Sequence, residues 1–389
     1  MSNRLLRNLL WLCTLGLSGV GLVMVASTTS HGHTGTNWGY LLRQGVAFVI
    51  GFGAALALSR MGVAWLRSTL VVGLLAVGTM LMLLIAREFM RPINGAWRWI
   101  DLGVVSIQPA ELAKLALIVT VAWYLVRLEE RVRVHWYGVL VPMVAFLVLA
   151  LLVYRTRDLG SIVIMAMVLW SMLFYAGANW LYSAVVGLLF SPLVLYLAVF
   201  QTAYRRDRIL AFVDPLNPEN EAAYHLKQSF IAIGSGGWNG VGLGRGMSKN
   251  SYLPENHTDF IYAVICEELG FVGGIAVAAT YLLLVWVGLM IAGRARDRHQ
   301  RLIAVGASVL IGVQAFWNMM VVTGVLPTKG LTLPFISYGG SSLVVCLVAV
   351  GFLAAVLRAC PDTRLSRRSV TVRIGAMSVN RRPQTEGAL

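Results

Sequence analysis

The sequence predicts an all-α polytopic integral membrane protein of about ten transmembrane helices, both termini cytoplasmic, with a large outer loop between helices 7 and 8. Three observations carry this expectation. Hydrophobic residues make up 58% of the 389 and charged residues 13%, with a mean hydropathy of +0.74. A soluble domain carries about 25% charged residues and could not hide this much apolar surface. Apolar runs of about 20 residues, the length that crosses a ~30 Å hydrocarbon core, recur along the chain. The Lys and Arg residues behind the formal net charge of +15 fall unevenly on the two sides of those runs. In a membrane protein such an excess reports orientation, so no nucleic-acid partner is expected.

The spans are expected near 9–28, 40–58, 65–86, 109–127, 136–154, 159–176, 180–200, 258–293, 302–323 and 338–357. The first follows Arg4 and Arg7 and ends near Val25-Ala26-Ser27, as a secretory signal would. It is longer than a signal's apolar region and more spans follow, so it reads as an uncleaved helix. The eighth is overlong, which implies tilt or projection from the bilayer. An even number of spans puts both termini on one side. With the N-terminus inside, 18 of the 32 Lys and Arg meet five acids there, a net +13; outside, 14 meet ten acids, a net +4. The termini are therefore cytoplasmic.

Residues 1–358 form a single transmembrane domain, and the basic tail 359–389 is expected to be disordered or to lie on anionic lipid. The outer side holds two long segments, 87–108 and 201–257, where function is expected to be placed. No repeat of 20–50 residues is visible. Cys13, Cys266, Cys346 and Cys360 form no CxxC or Cys/His cluster and read as small apolar residues, with no metal site expected.

Four outward-facing clusters hold the polar chemistry. The first is Asn94-Gly95-Ala96-Trp97-Arg98-Trp99-Ile100-Asp101-Leu102-Gly103 with Gln108-Pro109-Ala110-Glu111-Leu112-Ala113-Lys114. Pro109 suits a helix start, Glu111 suits the positive helix end, and Glu111 and Lys114 share a face and can pair. The pair can simply anchor the fourth span, yet a lysine just inside the bilayer is costly without a purpose. The second is Arg155-Thr156-Arg157-Asp158-Leu159-Gly160, where Asp158 can cap the sixth span. In the third, Arg205, Arg206 and Arg208 open the long loop and Asp214-Pro215-Leu216-Asn217-Pro218 reads as a turn. Ala223, Leu226, Phe230 and Ile233 then share a helical face suited to the membrane interface. A glycine-rich stretch, 234–246, lacks the strand of a dinucleotide fingerprint and reads as a flexible turn. Asp259 stands where the loop meets lipid, flanked by Glu255 and His257. At about 100° per helical residue Glu267 falls roughly 80° around from it, and Glu268 falls opposite. The fourth cluster, 324–342, has two prolines, four glycines and Lys329. It cannot be continuous helix, and broken backbone at membrane depth is tolerated only where it is buried or lines a cavity. That points to a substrate groove. The cations and carboxylates of this face suit an anionic lipid-linked substrate.

These segments resemble the SEDS family of cell-wall glycosyltransferases, through Gly95–Gly103, Gln108-Pro109-Ala110-Glu111, Asp158-Leu159-Gly160, and the whole of 224–270 and 324–342. The wording of Leu253–Phe260 and Leu326–Pro334 is closer to the division branch, FtsW, than to the elongation branch, RodA. Ala110 departs from the family's usual Ser. The resemblance implies a ten-helix fold in the bacterial cytoplasmic membrane, at the division septum, that polymerises lipid II into glycan strands on the outer face. It also implies partners: a class B penicillin-binding protein, which is a transpeptidase, and other divisome membrane proteins. The family's essential aspartate falls on Asp259 and its paired Glu and Lys on Glu111 and Lys114.

The expected chemistry makes Asp259 the general base that takes the proton of the attacking sugar hydroxyl. The remaining substrate contacts are expected among Arg98, Glu111, Lys114, Arg157, Asp158, Arg205, Arg206, Arg208, His257, Glu267 and Lys329. No cofactor is required, although a divalent cation, Mg or Mn, can stabilise a diphosphate leaving group as the cationic side chains can. The alternatives are a lipid II flippase or transporter, which would place its site at mid-membrane with access from both sides, and the elongation polymerase.

Overall fold

The computed structural model describes residues 1–31, 35–36, 38–92, 95–101, 106–185, 187–188, 210–212, 214, 221–248 and 257–360. Its helices are α1 (Asn3–Thr29), α2 (Trp38–Met61), α3 (Thr69–Phe89), α4 (Pro109–Leu128), a one-turn α5 (Arg131–Val134), α6 (Tyr137–Arg155), α7 (Leu159–Tyr175), α8 (Glu221–Gly236), α9 (Ile261–Arg294), α10 (Arg298–Val322) and α11 (Gly340–Ala359). Among the described residues, eight of these are long and apolar enough to cross a membrane, and the 17-residue apolar α7 is a ninth, shorter one. The expected seventh span, 180–200, is helical over 180–185 and lies outside the described residues from 189 onward. The basic tail 361–389 lies outside them too. Two short antiparallel strand pairs, Ser30–His31 with Gly35–Thr36 and Ile100–Asp101 with Ser106–Ile107, fold the loops before α2 and α4 back on themselves.

The spans divide into core and periphery. The apolar windows of α4, α10 and α11 are 72%, 72% and 78% buried, whereas those of α2 and α3 are 22% buried and turn most of their surface to lipid. A helix that is apolar all round is one buried on every side or immersed in lipid, so composition alone does not separate the two groups.

The ends of the described chain meet at one face. Asn3 Nδ2 donates to the Cys360 carbonyl at 3.1 Å, Arg294 Nη1 donates to Asn3 Oδ1 at 2.8 Å, and Arg358 donates to the Arg60 carbonyl at 3.4 Å. This is the face that collects Arg4, Arg7, Arg67, Arg296 and Arg298, which identifies it as the cytoplasmic one. Asp259, Glu111 and Asp158 stand at helix starts on the opposite side.

The overlong eighth span resolves into a broken helix. α9 runs 34 residues, but Gly270 inside it has φ 71° and ψ −173°, outside any helical region. The excess length is therefore absorbed by a kink at the tenth residue of the helix.

Candidate active site

The site is organised around the non-helical segment 323–339 between α10 and α11. Its backbone enters the membrane domain, and its Leu331, Leu333, Phe335 and Ile336 are buried. Unpaired backbone amides and carbonyls at that depth would each cost several kcal/mol. Polar side chains on three helices supply the partners, and a glycine on a fourth supplies the room. Gln44 on α2 brackets one end, its Nε2 donating to the Ser337 carbonyl at 3.1 Å and its Oε1 accepting from the Gly339 amide at 3.3 Å. Gln314 on α10 donates to Thr332 at its carbonyl (3.1 Å) and hydroxyl (3.2 Å), and to Ser342 Oγ at 3.0 Å. Tyr281 on α9 donates to the Pro334 carbonyl. On α1 only glycine fits at position 21, because a Cβ there would stand 2.5 Å from the Phe335 carbonyl oxygen. Phe335 itself holds φ 67°, a left-handed conformation that this surrounding cage maintains.

Asp259 lies in the turn just before α9, partly buried, with its carboxylate facing this segment. A Cβ at Gly330 would be 2.6 Å from Asp259 Oδ2, so the loop backbone abuts the carboxylate at the one residue without a side chain. Three further bonds fix the turn. Asn318, one helical turn beyond Gln314, donates from Nδ2 to the carbonyls of Asp259 (2.8 Å) and Leu331 (2.6 Å). Ser337 Oγ donates to the Thr258 carbonyl at 2.6 Å, and the Tyr338 amide donates to the His257 carbonyl at 2.9 Å. The His257 ring packs against both Tyr40 and Tyr338, at centroid distances of 5.3 and 5.8 Å, and these two rings meet each other at 4.9 Å.

The first and second clusters join on the other flank. Arg157 Nη1 donates to the Gly95 carbonyl at 2.9 Å and Arg98 Nη2 to the Arg157 carbonyl at 2.9 Å. Trp97 lies between the Arg87 and Arg157 guanidinium groups, 3.9 and 5.2 Å from its ring centre. Asp158 caps α7, accepting from the Ser161 amide at 3.2 Å and hydroxyl at 2.8 Å, and also accepts from Gln108 Nε2 at 2.9 Å. Burial would raise its pKa, but the Arg98 charge, the Ser161 bonds and the Lys114 charge together hold it below the ordinary carboxylate range. Ser341 Oγ, at the start of α11, accepts from the Gln108 amide and donates to the Ser106 carbonyl, at 3.0 and 2.9 Å. All four sequence clusters thus converge on 323–342.

Glu111 and Lys114 do pair, Nζ to Oε1 at 2.7 Å, but inside the bundle. Lys114 is 1% exposed and its ammonium also donates to Gln314 Oε1 at 2.8 Å. The pair therefore continues the chain of bonds that holds the loop: Glu111, Lys114, Gln314, Thr332. With two of its three donors engaged and almost no exposed surface, Lys114 faces the bundle and not the open groove expected of a phosphate clamp.

Glu267 is corrected likewise. Asp259 precedes the helix, so the 80° relation between them does not hold; Glu267 instead accepts from the Met247 amide at 2.7 Å and the Ser248 amide at 3.3 Å, and from the Ser248 hydroxyl. It anchors the protein's own backbone. The glycine-rich stretch has a related task at the α9 kink. The Val241 and Gly242 amides donate to the carbonyls of Glu267 and Glu268, both at 3.0 Å, while the Phe271 and Val272 amides donate to the carbonyls of Gly237 and Trp238, at 2.9 and 3.3 Å. Four backbone groups freed by the break are satisfied by four from the loop. A Cβ at Gly240, whose φ is +79°, would lie 2.2 Å from the Glu268 carbonyl oxygen. The stretch is largely exposed, yet its backbone is pinned to the kink rather than free as a flexible turn would be. α8 likewise turns a slightly different face inward, with Ala223, Leu226 and Ala232 buried and Phe230 39% exposed, and Ser229 Oγ donates to the Val322 carbonyl at 2.8 Å.

Arg98, Arg157 and Lys329 remain as described cations on the outer side, Arg157 being exposed. Arg205, Arg206 and Arg208 lie outside the described residues, as does Glu255. Among the described residues no three His, Cys, Asp or Glu stand close enough to hold a metal ion. Sequence reasoning gave Gln108 no role of its own and missed Gln44, Gln314 and Asn318. The last two had a legible signal, being amides four residues apart in an otherwise apolar span, hence on one helix face.

The sequence matches the FtsW/RodA/SpoVE family of cell cycle proteins over residues 7–360. It is 42% identical over 347 residues to a probable peptidoglycan glycosyltransferase FtsW of Geobacter sulfurreducens, covering 88% of this chain and 92% of that one. It is 39% identical over 383 residues to the protein of the same name from Idiomarina loihiensis, covering 96% and 92%. The fold superposes on a chain of a peptidoglycan synthase complex that coordinates polymerization and crosslinking, with a TM-score of 0.75 and 29% identity over 90% of this chain and 97% of that one. It also superposes on the rod shape determining protein RodA of Thermus thermophilus, with a TM-score of 0.65 and 27% identity over 90% and 95%.

Proposed function

The chain belongs to the FtsW/RodA/SpoVE family of cell cycle proteins, and from that premise we propose that it polymerises lipid II with Asp259 as the base. It is a multi-pass membrane peptidoglycan glycosyltransferase, and its FtsW relatives support a role in septal wall synthesis over one in elongation. The observation that carries the residue assignment is the Asp259 carboxylate resting against Gly330, on a turn fixed by Asn318 and Ser337 at the rim of a broken membrane segment.

In this reading the acceptor sugar hydroxyl loses its proton to the Asp259 carboxylate as its oxygen bonds to the donor's anomeric carbon. The bond from that carbon to the lipid diphosphate breaks, and the diphosphate leaves with the electron pair. Direct attack inverts the anomeric centre. The leaving group needs only cationic support, for which Arg98, Arg157 and Lys329 are the described candidates and Arg205, Arg206 and Arg208 the remaining ones. Asp158 acts through its bond network. Lys114 and Glu111 act through Gln314, as positioning residues. His257 would contact substrate through its ring edge, in the Tyr40 and Tyr338 cage. The described carboxylates offer no ligand set for a resident Mg or Mn, so no step is routed through one. The solved peptidoglycan synthase complex supports a crosslinking partner, which we take to be a class B penicillin-binding protein.

The test is strand formation from purified lipid II by the chain with its transpeptidase partner. Wild type should give long strands and Asp259→Asn none, with both showing the same thermal unfolding. Strands from the folded variant would remove Asp259 as base. Absence of strands from wild type, with lipid II crossing vesicle membranes, would indicate a transporter.

A further inference from the structure

At the cytoplasmic face, opposite Asp259, the helix ends enclose a second site. A cavity of about 220 Å³ is lined by Arg133, Arg296, Arg298 and Arg301, with Glu130 at its edge and Tyr175 at its inner wall. Four guanidinium groups against one carboxylate leave an excess of three positive charges around a volume suited to a phosphate diester. The guanidinium groups are not consumed by the fold. Arg298 uses one donor on the Ala176 carbonyl at 3.2 Å, and Arg301 uses two on the Ala295 carbonyl, at 3.2 and 2.9 Å. Each has five donors. The Arg133–Glu130 pair at 3.3 Å is largely exposed and weakly held.

Tyr175 also lines a neighbouring groove of about 450 Å³, walled by Trp170, Phe174, Leu289, Val305 and Val309. The two spaces share Tyr175 as a common wall. From Arg298 in the pocket to Val309 in the groove, α10 runs eleven residues or about 16 Å at 1.5 Å each. That is about half of the ~30 Å hydrocarbon core, the depth of one leaflet. A basic pocket at the interface beside an open apolar groove, the two together reaching about one leaflet deep and bordered by Trp and Tyr, is the form a site for an anionic lipid takes.

We propose that this is a binding site for an anionic diacyl phospholipid of the cytoplasmic leaflet, its phosphate held by Arg133, Arg296, Arg298 and Arg301 and its acyl chain lying along Trp170 and Val305. A soluble phosphate would use the pocket and leave the groove unused; an acidic peptide would do the same. The occupant ties the end of α7 to the start of α10. At their other ends these helices carry Asp158 and Asn318.

The experiment uses the purified full chain in a neutral detergent, with phosphatidylglycerol brominated in its acyl chains as probe. The readout is fluorescence quenching of Trp170, obtained as the difference between wild type and Trp170→Phe. Saturable quenching by brominated phosphatidylglycerol, and little by brominated phosphatidylcholine, is the expected result. The pair Arg133→Gln and Arg296→Gln, neither of which holds backbone, should weaken binding at least about tenfold. The matching Arg→Lys pair should recover most of it, which separates lost charge from lost fold. Equal quenching by both lipids, or unchanged binding in the Gln pair, would overturn the proposal. So would inorganic phosphate alone raising the melting temperature as much as the lipid does, since that would assign the pocket to a soluble ligand.

Discussion

Asn318 Nδ2 donates both to the Asp259 carbonyl at 2.8 Å and to the Leu331 carbonyl at 2.6 Å, so one amide fixes the Asp259 turn and the loop that faces it. The donor is buried and no other described group is bonded to its Oδ1. Replacing Asn318 by Ala strips the donor from two carbonyls at about 1–3 kcal/mol each. It also releases the relative position of Asp259 and Gly330, and misplacement of about 1 Å can cost about a hundredfold in rate. Asn318→Ala should therefore lower the melting temperature and cut the turnover for strand synthesis more than it raises the KM for lipid II. Unchanged turnover in a destabilised variant would show that the amide merely supports the fold.

Lys114 makes a contrasting case because it is charged and almost fully enclosed. Removing one partner of a buried ion pair leaves the other uncompensated, at about 3–5 kcal/mol, whereas removing both can be nearly neutral. Lys114→Met should be strongly destabilised. The double variant Lys114→Met with Glu111→Gln should recover much of the loss in detergent unfolding midpoints. Were Lys114 a substrate contact, the recovered double variant would show a raised KM for lipid II; as an internal brace through Gln314 it should show the wild-type KM with lower turnover.

Two glycines test the geometry at different places. Gly330→Ala puts a methyl 2.6 Å from Asp259 Oδ2, so the carboxylate must rotate while the fold has room at the loop's outer edge. Activity should fall with little change in melting temperature. Gly240→Ala meets backbone instead, at 2.2 Å, and at a φ of +79° that alanine resists. That variant should detach the loop from the α9 kink and lower stability sharply. The reverse pattern, an unstable Gly330→Ala and a stable Gly240→Ala, would contradict both contacts.

The spans and the four polar clusters were legible because each follows from local composition: apolar length for the helices, Pro, Gly and charge for the breaks. What stayed hidden depends on which way a side chain faces within the bundle. Glu111 and Lys114 were found as a pair, but a three-residue spacing fixes a shared face without saying whether that face meets a groove or a neighbouring helix. Gln314 and Asn318 were passed over because the surrounding Val, Leu, Phe and Trp kept α10 reading as an ordinary span. The glycine-rich stretch looked flexible because its partner, the break at Gly270, sits within 34 residues apolar enough to be taken for one long helix. Backbone groups freed at one place and satisfied about thirty residues away leave no periodic trace.

Acid should probe the Asp158 flank. Burial pushes the Asp158 pKa up, and the Arg98 charge, the Ser161 bonds and the Lys114 charge outweigh it, so the folded value lies below the ordinary one of about 3.9. A carboxyl depressed on folding adds stability that is fully present above the unfolded pKa and lost as pH falls through the folded one. Asp158→Asn should thus melt below wild type at neutral pH, with the gap nearly constant down to about pH 4 and closing on further acidification. Arg98→Gln removes the largest lowering influence and should move that closure to higher pH. A gap that stays constant into strong acid would mean that Asp158 contributes through its cap geometry at α7 alone, with no part played by its charge.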